Sequence, residues 1–308
     1  MLYQEYIIDP DPYLLPAYKL SPFNNEAIHF NRLLPASQVC DSFLNERYPK
    51  RFIEYCTNGR AALNLALQDL KLEADDVVSI LTTSQNFYIS SCVTAEIEKF
   101  CKWDREVTNR TSVILVNHEF GFPYQSVNQL NMYGLPIIED CAYAFNSQVD
   151  DGTVGTIGDY VIYSLPKFFP VQVGGILSSK RAVSTKEKSI YESYIKNVLS
   201  YYVTKTNEFS AKRIENYRYL ASKFESLNIN PRFGGLSNGT VPGVFMMTLP
   251  SAVDSKLLKQ FMYANGVECS AFYGENGLFI PCHHQLNQAD LDYFFQLIAF
   301  YINNRTLP

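Results

Sequence analysis

No segment of this chain gathers basic residues. Its 26 Lys and Arg stand against 31 Asp and Glu, a formal net charge of -5, and the cations do not cluster. A nucleic-acid surface needs a positive stripe, so that class is excluded. Cys-x-x-Cys spacing is missing among the seven cysteines, Cys40, Cys56, Cys92, Cys101, Cys141, Cys269 and Cys282. An odd count without that spacing reads as reduced, mostly buried thiols in a cytosolic protein. The four histidines show no ligand spacing, so no metal centre is expected. No apolar run approaches bilayer length, which leaves no membrane span. The opening residues 1–20 carry acids and prolines but no basic segment followed by an apolar core, so a secretory signal is not expected. The sequons at Asn109, Asn238 and Asn304 are then chance matches. A Gly-x-Ser-x-Gly turn is also missing, and with it the usual hydrolase pattern.

What is present is a long chain rich in aromatic rings. At 308 residues it can bury a large core, and one large plus one small domain is the natural division. The 22 Tyr and 21 Phe against one Trp suit buried surfaces or an oligomer interface. Residues 1–35, rich in Pro, Asn and Tyr, read as an irregular N-terminal arm. A short helix is expected over 35–48. Helical spacing of apolar residues predicts a helix over 60–71, with Thr57 or Asn58 as its cap. Strands are expected at 76–81, 112–116, 135–138, 159–164 and 175–178, and helices over 86–98 and 126–133. This alternation with short loops predicts an α/β fold, a mostly parallel sheet flanked by helices, over 36–182. Residues 183–240 read as linker helices and a loop. Residues 241–308 read as a small α+β domain with strands at 244–249 and 267–272 and helices at 255–265 and 287–303.

Three pieces carry chemistry. Asp140 ends the apolar run Ile137-Ile138-Glu139. Lys167 follows Tyr163-Ser164-Leu165-Pro166 and precedes Gly174-Gly175. An amine after one strand and a carboxylate at the end of another are what a pyridoxal phosphate site needs: the amine forms an imine with the aldehyde, and the carboxylate keeps the pyridine nitrogen protonated. Asp140 alone reads as an acidic turn, and Lys167 alone as a solvated side chain. Apolar and aromatic neighbours, Tyr163, Phe168 and Phe169, set Lys167 apart. Ser164, three residues earlier, has a spacing that suits a phosphate contact. The third piece is Asn58-Gly59-Arg60 at a loop-to-helix junction. There a glycine lets the backbone approach an anion and the first turn supplies free N–H donors.

Taken in order, these segments resemble the DegT/DnrJ/EryC1/StrS family of sugar aminotransferases. The family's phosphate-binding helix start is similar to Asn58-Gly59-Arg60-Ala61-Ala62-Leu63. Its His-x-x-Gly strand end is similar to His118-Glu119-Phe120-Gly121, and its Ile-Glu-Asp-x-Ala stretch to Ile138-Glu139-Asp140-Cys141-Ala142. Its Gly-x-x-Gly-Asp turn is similar to Gly155-Thr156-Ile157-Gly158-Asp159, and its Ser…Lys, Gly-Gly segment to Ser164–Lys167 and Gly174-Gly175. The resemblance implies the fold type I architecture of pyridoxal-phosphate-dependent transferases, with a seven-stranded-type sheet and a small C-terminal α+β domain. It implies a cytoplasmic homodimer, Lys167 as the imine lysine, Asp140 on the ring nitrogen and Ser164 on the phosphate. It places Tyr143 where the family often has Gln or His near the cofactor's phenolic oxygen.

The chain also departs from that family. Arg60 replaces a phosphate-contacting Thr; a guanidinium there either pairs with the phosphate or points outward. Gln85 falls at the position of the aromatic that covers the ring, with Phe87 or Tyr88 as alternatives if the loop differs. A stretch that reaches the partner's cofactor has no counterpart between Gly175 and Lys212. The resemblance implies amino transfer from an amino acid, glutamate by analogy, to a nucleotide-linked keto sugar, in surface polysaccharide synthesis. The rival expectation is a catalytically impaired relative that keeps the fold, and the cofactor with it or not, as a binding or assembly protein. Retention of the lysine that sugar dehydratases of this family replace argues against dehydration.

Overall fold

The computed structural model describes residues 16–86, 89–149, 152–183 and 190–305. The chain forms two compact units. The larger comprises Phe23–Glu208 and Ser237–Val241, and the smaller Met1–Pro22, Phe209–Leu236 and Pro242–Pro308.

In the larger unit, α1 (Asn25–Arg32) and α2 (Val39–Arg47) lead into β1 (Phe52–Cys56), α3 (Gly59–Leu70), β2 (Val77–Thr82) and α4 (Ser91–Ile97). There follow β3 (Lys102–Asp104), β4 (Thr111–Asn117) and, after a 3-10 segment Val127–Tyr133, β5 (Ile137–Asp140). A short hairpin of β6 (Gln148–Val149) and β7 (Gly152–Thr153) precedes β8 (Tyr160–Ser164), β9 (Gly175–Ser179) and α5 (Glu192–Tyr202). Seven strands make one sheet in the order β1-β9-β8-β5-β4-β2-β3. Strand β9 runs antiparallel to both neighbours, and the pairs from β8 through β3 are parallel. This is the expected mostly parallel sheet flanked by helices.

Both faces of the sheet are covered, which is why its strands read as continuous apolar runs. Alternate residues of β4 serve the two faces. Val113 and Leu115 pack with Ala62, Ala66 and Leu67 of α3 and Ile97 of α4. Ile114 and Val116 pack with Val127 and Leu130 of the 3-10 segment. Asn58 caps α3, its side chain accepting from the Ala61 N–H at 2.9 Å. That satisfies one of the open donors of the first turn.

Several elements differ from the sequence expectations. The arm 1–35 holds the helix α1, capped by Asn24, whose side chain accepts from the Ala27 N–H. The helix expected over 86–98 is confined among the described residues to α4, with Ser90 as its cap. Phe87 and Tyr88 lie outside the described residues. Strands β1 and β3 were not anticipated.

In the smaller unit, α6 (Thr206–Glu225), most of it counted here, precedes β10 (Phe245–Thr248), α7 (Ser255–Ala264), β11 (Ser270–Phe272), β12 (Gly277–Ile280) and α8 (Gln288–Arg305). Its three-stranded sheet has the order β10-β12-β11, antiparallel throughout. The N-terminal residues join it: Tyr18 bridges to Val267, and the Tyr18 hydroxyl donates to Asp290 at 3.2 Å. Among the described residues, no helix is long and apolar enough to cross a membrane.

Candidate active site

In a sheet of parallel strands the carboxyl ends open on one edge, where loops and helix N-termini converge and ligands bind. Here β4, β5 and β8 end in Asn117, Asp140 and Ser164. Asn117 is the register partner of Asp140, and Asp140 that of Ile162, two residues before Ser164.

Asp140 is only 4% exposed. Its Oδ2 accepts from the Asn117 side-chain amide at 2.8 Å, and its Oδ1 from the Ala142 N–H at 3.0 Å. Both donors are neutral. Burial pushes the Asp140 carboxyl above its ordinary value, while the Ala142 N–H, the Asn117 amide, His118 and the charge of Lys167 pull against it. A buried acid held only by neutral donors favours a cationic N–H as its further partner.

Lys167 ends a 3-10 turn, Leu165–Lys167, with Pro166 in that turn. Its Nζ donates to the Tyr143 hydroxyl at 3.0 Å and lies 4.7 Å from the centre of the Tyr143 ring. That ring rests on Phe120, with centroids 5.2 Å apart. Phe120 takes a left-handed backbone (φ 52°, ψ 28°), uncommon for a bulky side chain. The aromatics next to Lys167 in sequence serve the core instead. Phe168 and Phe169 are buried and pack on Phe145, at 5.5 and 4.7 Å between centroids.

The start of α3 meets the same region. A Cβ on Gly59 would stand 3.1 Å from Ser164 Cβ, and one on Gly175 would stand 2.3 Å from the Asn58 carbonyl oxygen. The Gly174 N–H donates to the Thr57 carbonyl at 2.8 Å. The glycines therefore let a helix N-terminus approach the serine at the end of β8. Asn58 engages the Ala61 N–H and its carbonyl receives the Ala62 N–H, and a helix start of this kind offers its first-turn N–H groups to an anion.

The structure thus brings Asn58, Gly59 and Ser164 together at one point, and Asp140, Tyr143 and Lys167 at another on the same sheet edge. Arg60 is exposed. Gln85 is also exposed, with φ 58°, in the loop after β2. Phe87, the alternative to it, falls outside the described residues.

A second layer braces this edge. Glu139 is buried, and its carboxylate accepts from the N–H groups of Gly155 at 2.9 Å, Ile157 at 2.9 Å and Gly158 at 2.6 Å. His118 Nε2 is 3.1 Å from the same carboxylate. The Tyr124 N–H donates to His118 Nδ1 at 3.1 Å, which leaves Nε2 as the donor to Glu139. Burial raises the Glu139 carboxyl, but His118 and the turn's N–H groups outweigh it and hold it below the ordinary value. The side chains of His118, Glu139 and Cys141 bring ligand-type atoms within 4.8 Å of one another. Both His118 nitrogens are engaged, so His118 and Glu139 act as a hydrogen-bonded brace, while burial pushes the Cys141 thiol well up.

Sequence reasoning did not single out Asn117. Its signal is modest: it precedes His118 at the end of an apolar strand, as Glu139 precedes Asp140 on the next.

Residues 50–174 match the model of the DegT/DnrJ/EryC1/StrS aminotransferase family. The chain is similar to GDP-perosamine synthase of Escherichia coli O157:H7, 28% identical over 208 residues, which cover 58% of this chain and 55% of that one. It is also similar to dTDP-3-amino-3,6-dideoxy-alpha-D-galactopyranose transaminase of Aneurinibacillus thermoaerophilus, 28% identical over 174 residues, covering 48% of each chain. The chain thus spans about half the length of the curated relatives it matches. Among solved structures, the aminotransferase TlmJ from Streptoalloteichus hindustanus shares the fold with a TM-score of 0.77 at 16% identity, over 96% of this chain and 100% of that one. GDP-4-keto-6-deoxy-D-mannose-3-dehydratase of E. coli, with bound hydrated PLP, shares it with a TM-score of 0.68 at 13% identity, over 92% and 100%. Over residues 50–174 the chain is thus similar to the DegT/DnrJ/EryC1/StrS aminotransferase family.

Proposed function

We propose that this protein is a pyridoxal-phosphate-dependent aminotransferase that moves an amino group from glutamate to a nucleotide-linked keto sugar. The observation that carries the proposal is the common sheet edge. It holds a buried carboxylate, Asp140, an amine, Lys167, and a helix N-terminus against Ser164. Relatives named GDP-perosamine synthase and dTDP-3-amino-3,6-dideoxy-alpha-D-galactopyranose transaminase support the substrate class.

The residues fit the cofactor. Asp140 has neutral donors on both oxygens and matches a protonated ring nitrogen. The glycine contacts at Gly59 and Gly175 leave a backbone cradle that a Cβ would fill, which suits a phosphate beside Ser164. When bound, pyridoxal phosphate supplies an aldehyde that condenses with amines and a ring that draws electrons from the carbon next to the nitrogen.

Each residue then has a task. Asp140 holds the proton on the ring nitrogen. Ser164 and the N–H groups of Gly59 and Arg60 hold the phosphate. Lys167 would hold the aldehyde end of the cofactor, and its free amine could take and return the proton at the substrate's α-carbon. Tyr143 holds the Lys167 amine through its hydroxyl. A homodimer and a cytoplasmic site of action belong to the same proposal. The retained lysine, acid and serine favour an enzyme over a binding or assembly protein.

The test is direct. Adding pyridoxal phosphate to the purified protein should give a visible band, and borohydride should fix the cofactor to Lys167, located by peptide mass. Lys167→Ala should abolish both. Glutamate should then discharge the visible band in the wild type. A band that persists with glutamate and several other amino donors would favour the binding protein.

A further inference from the structure

The Asn117 amide is a neutral donor committed to a buried acid from the neighbouring strand. Its Nδ2 lies 2.8 Å from Asp140 Oδ2, and register pairs the two residues directly across β4 and β5. The other oxygen, Oδ1, takes the Ala142 N–H at 3.0 Å. With one donor on each oxygen, the plane of the carboxylate is set from two sides. Each donor also favours the ionised form, because an ionised carboxylate only accepts whereas a neutral one must place a proton. Burial works the other way. The chain could have satisfied Oδ2 with a cation, but a fixed cation there would compete with a cationic ring. An amide orients the acid and leaves its charge unspent.

We propose that Asn117 is a positioning residue: it fixes the plane and the ionised state of Asp140, so that this acid can hold the proton on the ring nitrogen of a pyridine cofactor. The inference rests on the pyridoxal phosphate reading above and assigns a role to a residue outside the set expected from sequence. Charged and titratable groups surround Asp140 on every side that matters. They are His118 after β4, Glu139 and Cys141 on its own segment, and Lys167 with Tyr143 after β8 and β5. Lys167 favours the charged acid by its charge, and Asn117 does so without adding any.

Two variants and two ligands test this in the full-length protein. Asn117→Leu keeps the size of the side chain and removes the donor. Asn117→Asp keeps the shape and sets a second carboxylate against the first. Affinity for pyridoxal phosphate is read by titration of the visible band from pH 5 to 8, with thermal melting as a check on folding. Asn117→Leu should bind about tenfold more weakly at neutral pH, the scale of one hydrogen bond to a charged group. The pH below which binding fails should move upward, because Asp140 loses a donor that favours its ionised form. Asn117→Asp should move it further, since two adjacent carboxylates share a proton. The control ligand is the analogue with a C–H in place of the ring nitrogen. It has no N–H for Asp140, so Asn117→Leu should bind it as well as the wild type does.

An equal loss for both ligands would make Asn117 a purely structural residue and overturn the inference. So would unchanged affinity and pH dependence in both variants. If Asn117→Leu does not fold, Asn117→Asp carries the same comparison. A wild type that forms no Lys167 adduct would overturn the cofactor reading, and this inference with it. A wild type that forms the adduct with unaffected variants overturns this inference alone.

Discussion

His118 Nε2 and a carboxylate oxygen of Glu139 lie 3.1 Å apart, and both side chains are buried. This pair ties the end of β4 to β5 and, through Glu139, to the turn that starts β8. Glu139 is the acid that the turn needs, as Asp140 is the acid that the ligand needs. Adjacent residues on a strand face opposite sides, so two neighbouring carboxylates can serve such different partners.

The lowered Glu139 carboxyl makes a prediction about acid stability. A group whose folded pKa lies below its unfolded value stabilises the fold above the unfolded pKa. That contribution is lost as pH falls through the folded value. Glu139→Gln should therefore destabilise the protein at pH 7 and flatten the loss of stability on the acid side. A glutamine puts an amide NH2 against N–H donors, at a cost of about 1–3 kcal/mol for a donor left unmet. Urea unfolding at pH 7 and pH 4 checks both the size and the flattening.

Arg51 reaches the same turn from the other side. Its guanidinium donates to Ser178 Oγ at 2.9 Å and to the Gly158 carbonyl at 2.9 Å, and it also meets the Asp159 and Ser178 carbonyls. Arg51→Met should cost about 2–3 kcal/mol, because buried carbonyls lose a charged donor. Arg51→Lys should recover only part of it, since an ammonium lacks the planar fork. Denaturant midpoints of the two variants decide the matter.

Gly175 carries a steric prediction. A Cβ there would overlap the Asn58 carbonyl at 2.3 Å and approach the Gly59 nitrogen at 2.9 Å. Gly175→Ala should push the start of α3 away from Ser164. Affinity for pyridoxal phosphate should fall at least about tenfold, or about 1.4 kcal/mol. Affinity for inorganic phosphate, measured by competition, should fall in parallel. A phosphate affinity that stays unchanged would place the anion elsewhere.

Tyr143→Phe separates the hydroxyl from the ring. The Lys167 ammonium loses an acceptor at 3.0 Å and keeps the aromatic face. Fixing of pyridoxal phosphate by borohydride should then reach half its maximal rate at a lower pH, by up to about one unit for the loss of one such bond. Unchanged pH dependence would show that the hydroxyl plays no part in holding the amine.

Much of this was legible in the residues. Apolar runs ending in polar side chains marked β4, β5 and β8, because strands buried on both faces cannot hide among polar residues. Asn58-Gly59 announced a capped helix, and the cap is present. Strand β1 escaped because its edge position leaves Phe52 exposed and includes Glu54, so neither alternation nor an apolar run was visible. Helix α1 escaped because its sequence is largely polar and the arm around it is rich in proline and asparagine. The Asn117 contact could not be seen at all, because it depends on the register of β4 against β5. Sequence names the residues at strand ends, but register decides which of them touch. Lys167 showed the same limit. Its sequence neighbours Phe168 and Phe169 went to the core, and a ring 24 residues earlier took their place beside the amine.

The reversal of β9 has a mechanical consequence. Because β9 turns back along β8, Lys167 lies in a closed loop, sealed by the Leu165 N–H on the Gly174 carbonyl at 3.0 Å. The same Gly174 is pinned through its N–H to the Thr57 carbonyl. The stalk that carries the amine is therefore stationary, and its tip travels by rotation about the four carbon–carbon bonds of the lysine arm alone. Travel of that kind confines the tip to a small sphere around a fixed hub, so any molecule it serves must come to rest within that radius.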